Sequence, residues 1–278
     1  MYSPPTTLEG VLPKSDQADT ADSAVRGPDQ LRLLSYNVQT GIASRGYSNY
    51  VTHSWKHVFP HGERITNLND IASLIRNYDF VGLQEVDAGS LRSGFINQTE
   101  YLAVRAGFPI WHDRTNRRLG KFAQHSMGIL SRYPVQTVTE HRLPGFIPGR
   151  GVMVIKLGQG RDALTLVMMH MALGQRARKR QFEFVSVLIE DCKNVILMGD
   201  FNCEPHSNEM RWLTSNTKLS LSATGMNTFP SWKPLRHIDH FLATPSIEII
   251  DVQVLNYPLS DHLPISMTIK VPSGVILE

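Results

Sequence analysis

Short apolar runs rich in Val, Ile, Leu and Phe recur along the chain at 31–38, 79–86, 126–132, 151–157, 163–170, 194–199, 237–243, 248–255 and 264–271, and each predicts a strand. Helical periodicity is clear over 63–77, where Ile65, Leu68, Ile71, Leu74 and Ile75 share one face. It recurs over 175–190, through Phe182, Val185, Leu188 and Ile189, and more weakly over 97–106 and 207–214. Strands outnumber helices about two to one, and several connections are too short for a helical crossover. That balance argues against a purely parallel doubly wound sheet and predicts a largely antiparallel α/β sandwich.

The first residues do not share this pattern. Residues 1–30 are rich in Pro, Ser, Thr, Asp and Gly without hydrophobic periodicity, so they cannot offset their own ordering entropy and read as a flexible leader. Residues 31–278 then form one domain, and 41% hydrophobic residues suffice for a substantial core. No internal repeat is visible. No apolar run approaches the roughly 20 residues of a membrane-spanning helix, and no hydrophobic segment precedes a cleavage site. Cys192 and Cys203 are the only cysteines, too few for a disulfide framework and unsuited to a zinc site, so a reducing cytoplasm is the expected location. The net charge of +3 is a slight bias that does not by itself mark a nucleic-acid binder.

Chemistry enters where the apolar runs stop. Asn37 ends LRLLSYN, Glu85 follows FVGLQ, His170 ends LTLVMMH, and Asp200 and Asn202 close VILMGDFN. Asp239 lies within HIDHFL, and Asp261 and His262 precede Leu263-Pro264-Ile265. Any one of these alone reads as a turn former or a satisfied structural histidine. Turn chemistry does not predict their joint occurrence in this order, and strand ends are rigid mounts for a site.

The strings SYNVQTG, VGLQEV, MMHMALG, MGDFNCEP, IDHFLA and SDHLPI resemble the successive signature segments of the endonuclease/exonuclease/phosphatase family, over residues 35 to 265. The resemblance implies a four-layer α/β sandwich, two face-packed, mostly antiparallel sheets flanked by helices. It implies a magnesium-dependent hydrolase of phosphate esters, with manganese as a substitute, acting by in-line attack of an activated water. Glu85 would be the main metal ligand with Asn37 beside it, and Asp261 would support the metal shell or a second metal position. Asp200 and Asn202 would hold the water and a phosphoryl oxygen, Asp239 would orient His262, and His170 would donate to the phosphate or leaving group. Two positions depart from the pattern: Gln39 stands where some relatives carry an acid, and His240 where Tyr is common.

Substrate clues are weaker. Arg114, Arg117, Arg118, Lys121 and His125 lie in a segment of loop-like composition and read as phosphate ligands or as a solvated basic loop. Arg176, Arg178, Lys179 and Arg180 read as the exposed face of a helix. Arg150, between Gly149 and Gly151, reads as a phosphate contact or as part of a tight turn. Phe229 and Trp232 fit a stacking site or the core equally. No exposed aromatic hairpin is evident. The expectation is a phosphodiesterase on a small or lipid-derived substrate. The alternatives are a DNA or RNA nuclease and a catalytically silent binding module.

Overall fold

Strands buried on both faces lose the alternation of a half-solvated strand and read as continuous apolar runs, which is how the runs at 163–170 and 194–199 read. In the computed structural model, which describes residues 29–41, 61–120, 122–145, 149–159 and 162–277, both runs are buried throughout. The strands are β1 Gln30–Asn37, β2 Phe80–Asp87, β3 Ile110–Leu119, β4 Ala123–Ser131, β5 Val135–Arg142 and β6 Gly151–Leu157. They continue with β7 Leu164–His170, β8 Asn194–Asp200, β9 Ser220–Leu221, β10 Asp239–Ala243, β11 Ile249–Val254 and β12 Ile265–Lys270. The helices are α1 His61–Ile75, α2 Gln98–Ala106, α3 Gln175–Leu188 and α4 Asn208–Asn216. All but the last two residues of the expected leader lie outside the described residues.

Two six-stranded sheets, β11-β12-β1-β2-β4-β3 and β5-β6-β7-β8-β10-β9, pack face to face. The contacts β1–β2 and β7–β8 are parallel and the other pairings antiparallel. One core lies between the sheets, with Leu33, Ile129, Ile155, Leu166, Met198 and Met267. A second lies under α1 and α2, and a third under α3 and α4. The expected four layers are therefore present.

Although the sequence has no visible repeat, the topology has one. Strands β1, β2, β3 and β4 with α1 and α2 follow the same path as β7, β8, β9 and β10 with α3 and α4. Each half completes the other's sheet with a hairpin, β5–β6 or β11–β12. Residues that face the opposite sheet in one half thus have counterparts in the other.

The segment expected to be a basic loop is instead the β3–β4 hairpin, and β5 was not predicted at all. Both β3 and β5 are edge strands, and β5 keeps polar residues toward solvent, so neither shows a long apolar run. The expectation of no exposed aromatic hairpin is also corrected: Phe122 sits exposed in the β3–β4 turn.

Local chemistry explains the element ends. Asn97 caps α2 by accepting from the amides of Thr99 and Glu100, and Gly107 closes it in the left-handed region. Gly199 has φ 137°, and a Cβ there would lie 2.0 Å from the Met169 carbonyl oxygen, so only glycine fits before Asp200.

Candidate active site

Side-chain parity assembles the site. In β1, Leu31 and Leu33 face the opposite sheet while Leu34 and Tyr36 face the helices, so Asn37 falls on the inter-sheet side. By the same count Leu164, Leu166 and Met168 carry His170 inward. Ile196 and Met198 carry Asp200, and Ala243 and Phe241 carry Asp239. The register pairs His170 with Asp200 and Asp200 with Asp239, which puts them side by side at one end of the second sheet.

Glu85 needs a further device. The β2–β4 register shifts between Leu83 and Val86, and Glu85 adopts φ 57° inside that irregularity. The bulge lets Val86 keep its place under the helices while turning Glu85 toward the site. Asn202, with φ 54°, occupies the corresponding place after β8. A left-handed backbone at non-glycine residues marks strain, and here both strained residues adjoin the polar cluster.

Nε2 of His170 lies 3.7 Å from Glu85 Oε1 and 3.4 Å from Asp200 Oδ2, and Nε2 of His262 lies 3.9 Å from the same Asp200 oxygen. Asn37 Nδ2 donates to Asp200 Oδ2 at 3.2 Å, while its Oδ1 accepts from the Gln39 amide. The Asn202 amide donates to Asp200 Oδ1 at 2.9 Å, and the Asn202 side chain donates to the Met171 carbonyl at 3.0 Å. Nδ1 of His262 donates to Asp239 Oδ2 at 2.8 Å, an oxygen that also accepts from Thr228. The Phe229 ring packs on His262 with centroids 4.9 Å apart. Ser260 Oγ donates to Asp261 Oδ1.

Charge states follow from burial and neighbours. Burial raises Asp200 to about 7 against the opposing pull of His262, with Asp239 and Glu85 adding to the rise. Asp261 is raised to about 6 by burial, opposed by His262 and aided by Glu85. Burial works against a charged His262, yet Asp239, Asp200 and Asp261 together lift it to about 10. His170 is held well below its usual range by burial, then by Arg150. Arg150 itself donates to Nε2 of His170.

The donor set fits a divalent cation. Half-buried Glu85 repels both buried Asp200 and buried Asp261, and a hard cation with oxygen ligands would relieve that repulsion. Asp200, Asp239 and His262 also offer ligand atoms within 4.8 Å of one another. Asp239 Oδ2 is already committed to His262 and Thr228, so this trio fits a carboxylate–histidine pair facing Asp200 better than a chelate.

The arginines divide. Arg150 lines a cavity of about 200 Å³ beside Glu85 and His170, together with Asn116, Arg117 and His125. Arg114, expected to bind substrate, is instead buried: its guanidinium donates to the carbonyls of His141 and Val152 and pairs with Glu140 at 3.6 Å. It ties β3 of one sheet to β5 and β6 of the other. The Arg118 side chain and Lys121 lie outside the described residues. Arg178, expected on an exposed face, is buried against Glu209. His240 is buried too, stacked on His237 and donating from Nε2 to the Cys203 carbonyl at 2.7 Å. Sequence reading missed Thr228 and Asn116, because nothing in their local context distinguishes them from ordinary turn and strand residues, while Phe229, left open between a stacking site and the core, packs on His262.

A polar cluster at one end of the core between two sheets defines the class, an α/β-sandwich hydrolase. Within it the chain belongs to the Endonuclease/Exonuclease/phosphatase family, whose sequence profile matches residues 34–262, and it is a hydrolase of phosphate esters. No curated protein matches the sequence. Among solved structures, an endonuclease/exonuclease/phosphatase family protein from Bacteroides thetaiotaomicron is similar at 18% identity and TM-score 0.66, covering 88% of this chain and 98% of that one. The mannosyl-6-phosphatase of the same organism is similar at 18% identity and TM-score 0.64, covering 85% and 98%. The human Nocturnin catalytic domain, with bound sulfate, is similar at 15% identity and TM-score 0.64, covering 87% and 93%. At these identities the likeness is one of fold. Among the described residues, no helix is long and apolar enough to cross a membrane.

Proposed function

We propose that the protein is a divalent-metal-dependent phosphodiesterase acting on a small or lipid-derived substrate. The observation that carries this reading is the convergence of Glu85, His170, Asp200 and His262 within 4 Å contacts at one mouth of the inter-sheet core. The sulfate bound by the similar Nocturnin domain and the phosphatase activity in the name of the Bacteroides relative point to the same chemistry.

Glu85, with Asn37 and Asp261 beside it, would supply the oxygen donors for magnesium, or manganese in its place, and an ion held there would supply charge to neutralise phosphoryl oxygens and polarise the ester. Asp200, its carboxylate raised toward neutrality by burial, accepts the proton of the attacking water, and Asn202 helps orient that water. His262 is protonated at neutral pH because Asp239 holds it so, and it stabilises charge on the phosphoryl group. Arg150 binds the phosphate, and His170, kept neutral by burial, contributes a hydrogen bond. The water oxygen bonds to phosphorus as the bond to the leaving oxygen breaks, in line with it.

Turnover of bis(p-nitrophenyl) phosphate by the purified chain, with magnesium and with a chelator, tests the reading. Metal-dependent release that is lost in Glu85→Ala and in His262→Ala is expected. Wild-type rates in both folded variants would overturn it.

A further inference from the structure

The mouth of the site is surrounded by apolar side chains that the core does not use. The loop after β2 carries Leu91 and Phe95, exposed 52% and 66%. The β3–β4 turn carries Phe122 at 72%, the loop after His170 carries Leu173 at 75%, and the loop before β10 carries Leu235 at 65%. The registers place all of these at one end of the sandwich. Asp87 pairs with His125 just after the β3–β4 turn, Gly151 pairs with His170, and Asp239 pairs with Asp200. Four separate segments thus project large apolar groups outward from the same face. Single exposed apolar residues need no explanation, but a group of them around one opening marks an interaction surface.

Charge on this face leans positive. Arg117, Arg176, Lys233 and Arg236 are exposed on the same loops or beside them, and Arg150 lines the opening. Apart from the catalytic cluster, the acid on these loops is Glu204, which pairs with Arg236 at 3.4 Å, and Glu63 and Glu100 are exposed beside them in the first turns of α1 and α2. The loops at the opposite end of the sandwich are balanced, with Asp162, Glu190, Asp191 and Glu248 set against Arg76, Arg132, Lys193 and Lys218, and Asp162 and Glu248 paired with Lys193 and Lys270. Cations therefore outnumber acids where the active-site mouth opens, while the far end is balanced.

We infer that this face docks on an anionic phospholipid surface, with Phe95, Phe122, Leu173 and Leu235 entering the headgroup boundary and the arginines meeting lipid phosphates. A nucleic-acid strand would use the same cations, but it gives leucine side chains at the rim nothing to stack on. The inference rests on the phosphoesterase reading in one respect: docking in this orientation delivers a lipid headgroup ester to Glu85 and Asp200, making phospholipids or their phosphorylated headgroups the substrate class.

Flotation of the full chain with vesicles of phosphatidylcholine, and of phosphatidylcholine containing phosphatidylglycerol, tests the docking. The wild-type chain is expected to float with the anionic vesicles. The double variants Phe95→Ser with Phe122→Ser, and Leu173→Ser with Leu235→Ser, are expected to lose binding by roughly tenfold or more while keeping wild-type thermal melting and turnover of the soluble diester. A wild-type chain that floats with neither vesicle overturns the inference, as do folded double variants that float like wild type. Retardation of plasmid DNA by wild type and both doubles alike, without flotation, overturns it in favour of nucleic acid. A chain that floats but does not hydrolyse the soluble diester upholds the docking face and removes the phosphoesterase reading.

Discussion

Nδ1 of His262 donates to Oδ2 of Asp239 across 2.8 Å, and the same oxygen accepts from Thr228. The two residues come from different segments, and their pairing leaves Nε2 of His262 facing Asp200. The carboxylate holds the ring's orientation and its charge together.

Replacing Asp239 by Asn removes the charge and leaves the shape. We expect kcat to fall by about 10²–10⁴-fold, in line with other histidine–carboxylate pairs. His262, raised to about 10 largely by that carboxylate, is expected to titrate at lower pH in the variant. Imidazole NMR titration reads this directly. Unchanged kcat together with an unchanged titration would show that Asp239 does not govern the ring.

Arg150 donates to His170 and lines the cavity beside Glu85. Lysine keeps the charge but not the planar fork that grips a phosphate at two points. Arg150→Lys is therefore expected to lower kcat/KM by roughly 10- to 100-fold. Steady-state kinetics on a soluble diester measure it, and an unaltered kcat/KM would remove Arg150 from the substrate contacts.

His240 is held at about 3 by burial, with the stacked His237 adding to the effect. The folded ring stays neutral, whereas the unfolded one takes a proton below its ordinary value of 6.5. The contribution is whole above pH 6.5 and is lost as pH falls toward 3, by about 2 kcal/mol at pH 5. Urea midpoints at pH 7.5 and pH 5 should therefore fall less for His240→Phe than for wild type. Parallel losses in the two proteins would show that another group carries the acid sensitivity.

Arg178 donates from Nε to Glu209 Oε1 at 2.8 Å, and from another guanidinium nitrogen to the carbonyls of Ala172 and Leu173. It joins α3 to α4 and ties down the loop that follows His170. Removing one partner leaves a buried charge, so Arg178→Ala is expected to cost about 3–5 kcal/mol. The double replacement of Arg178 by Met and Glu209 by Leu should be milder, with the orphaned carbonyls keeping part of the loss. Urea denaturation compares them, and a double variant no more stable than Arg178→Ala would show that the carbonyl contacts, not the ion pair, hold the loop.

Much of the site was written in the chain's periodicity. Inward-facing alternation through Leu164, Leu166 and Met168 to His170, or through Ile196 and Met198 to Asp200, is legible because a strand fixes side-chain direction every second residue. The strings around these residues carry the family resemblance separately, through their residue identities. The sequence alone therefore determined the main strands and helices, and which polar residues end on the inner face.

Tertiary structure decided the rest. Edge strands β3 and β5 are half solvated, so no apolar run announces them. The bulge that aims Glu85 arises from pairing β2 with β4, and no local pattern encodes it. Arg114 and Arg150 look equally free as basic residues in a sequence. Contacts with a distant sheet bury the first against backbone carbonyls and set the second at the cavity. Local propensity fixes which way a side chain points along its own strand, but what it meets there depends on the strands packed opposite it.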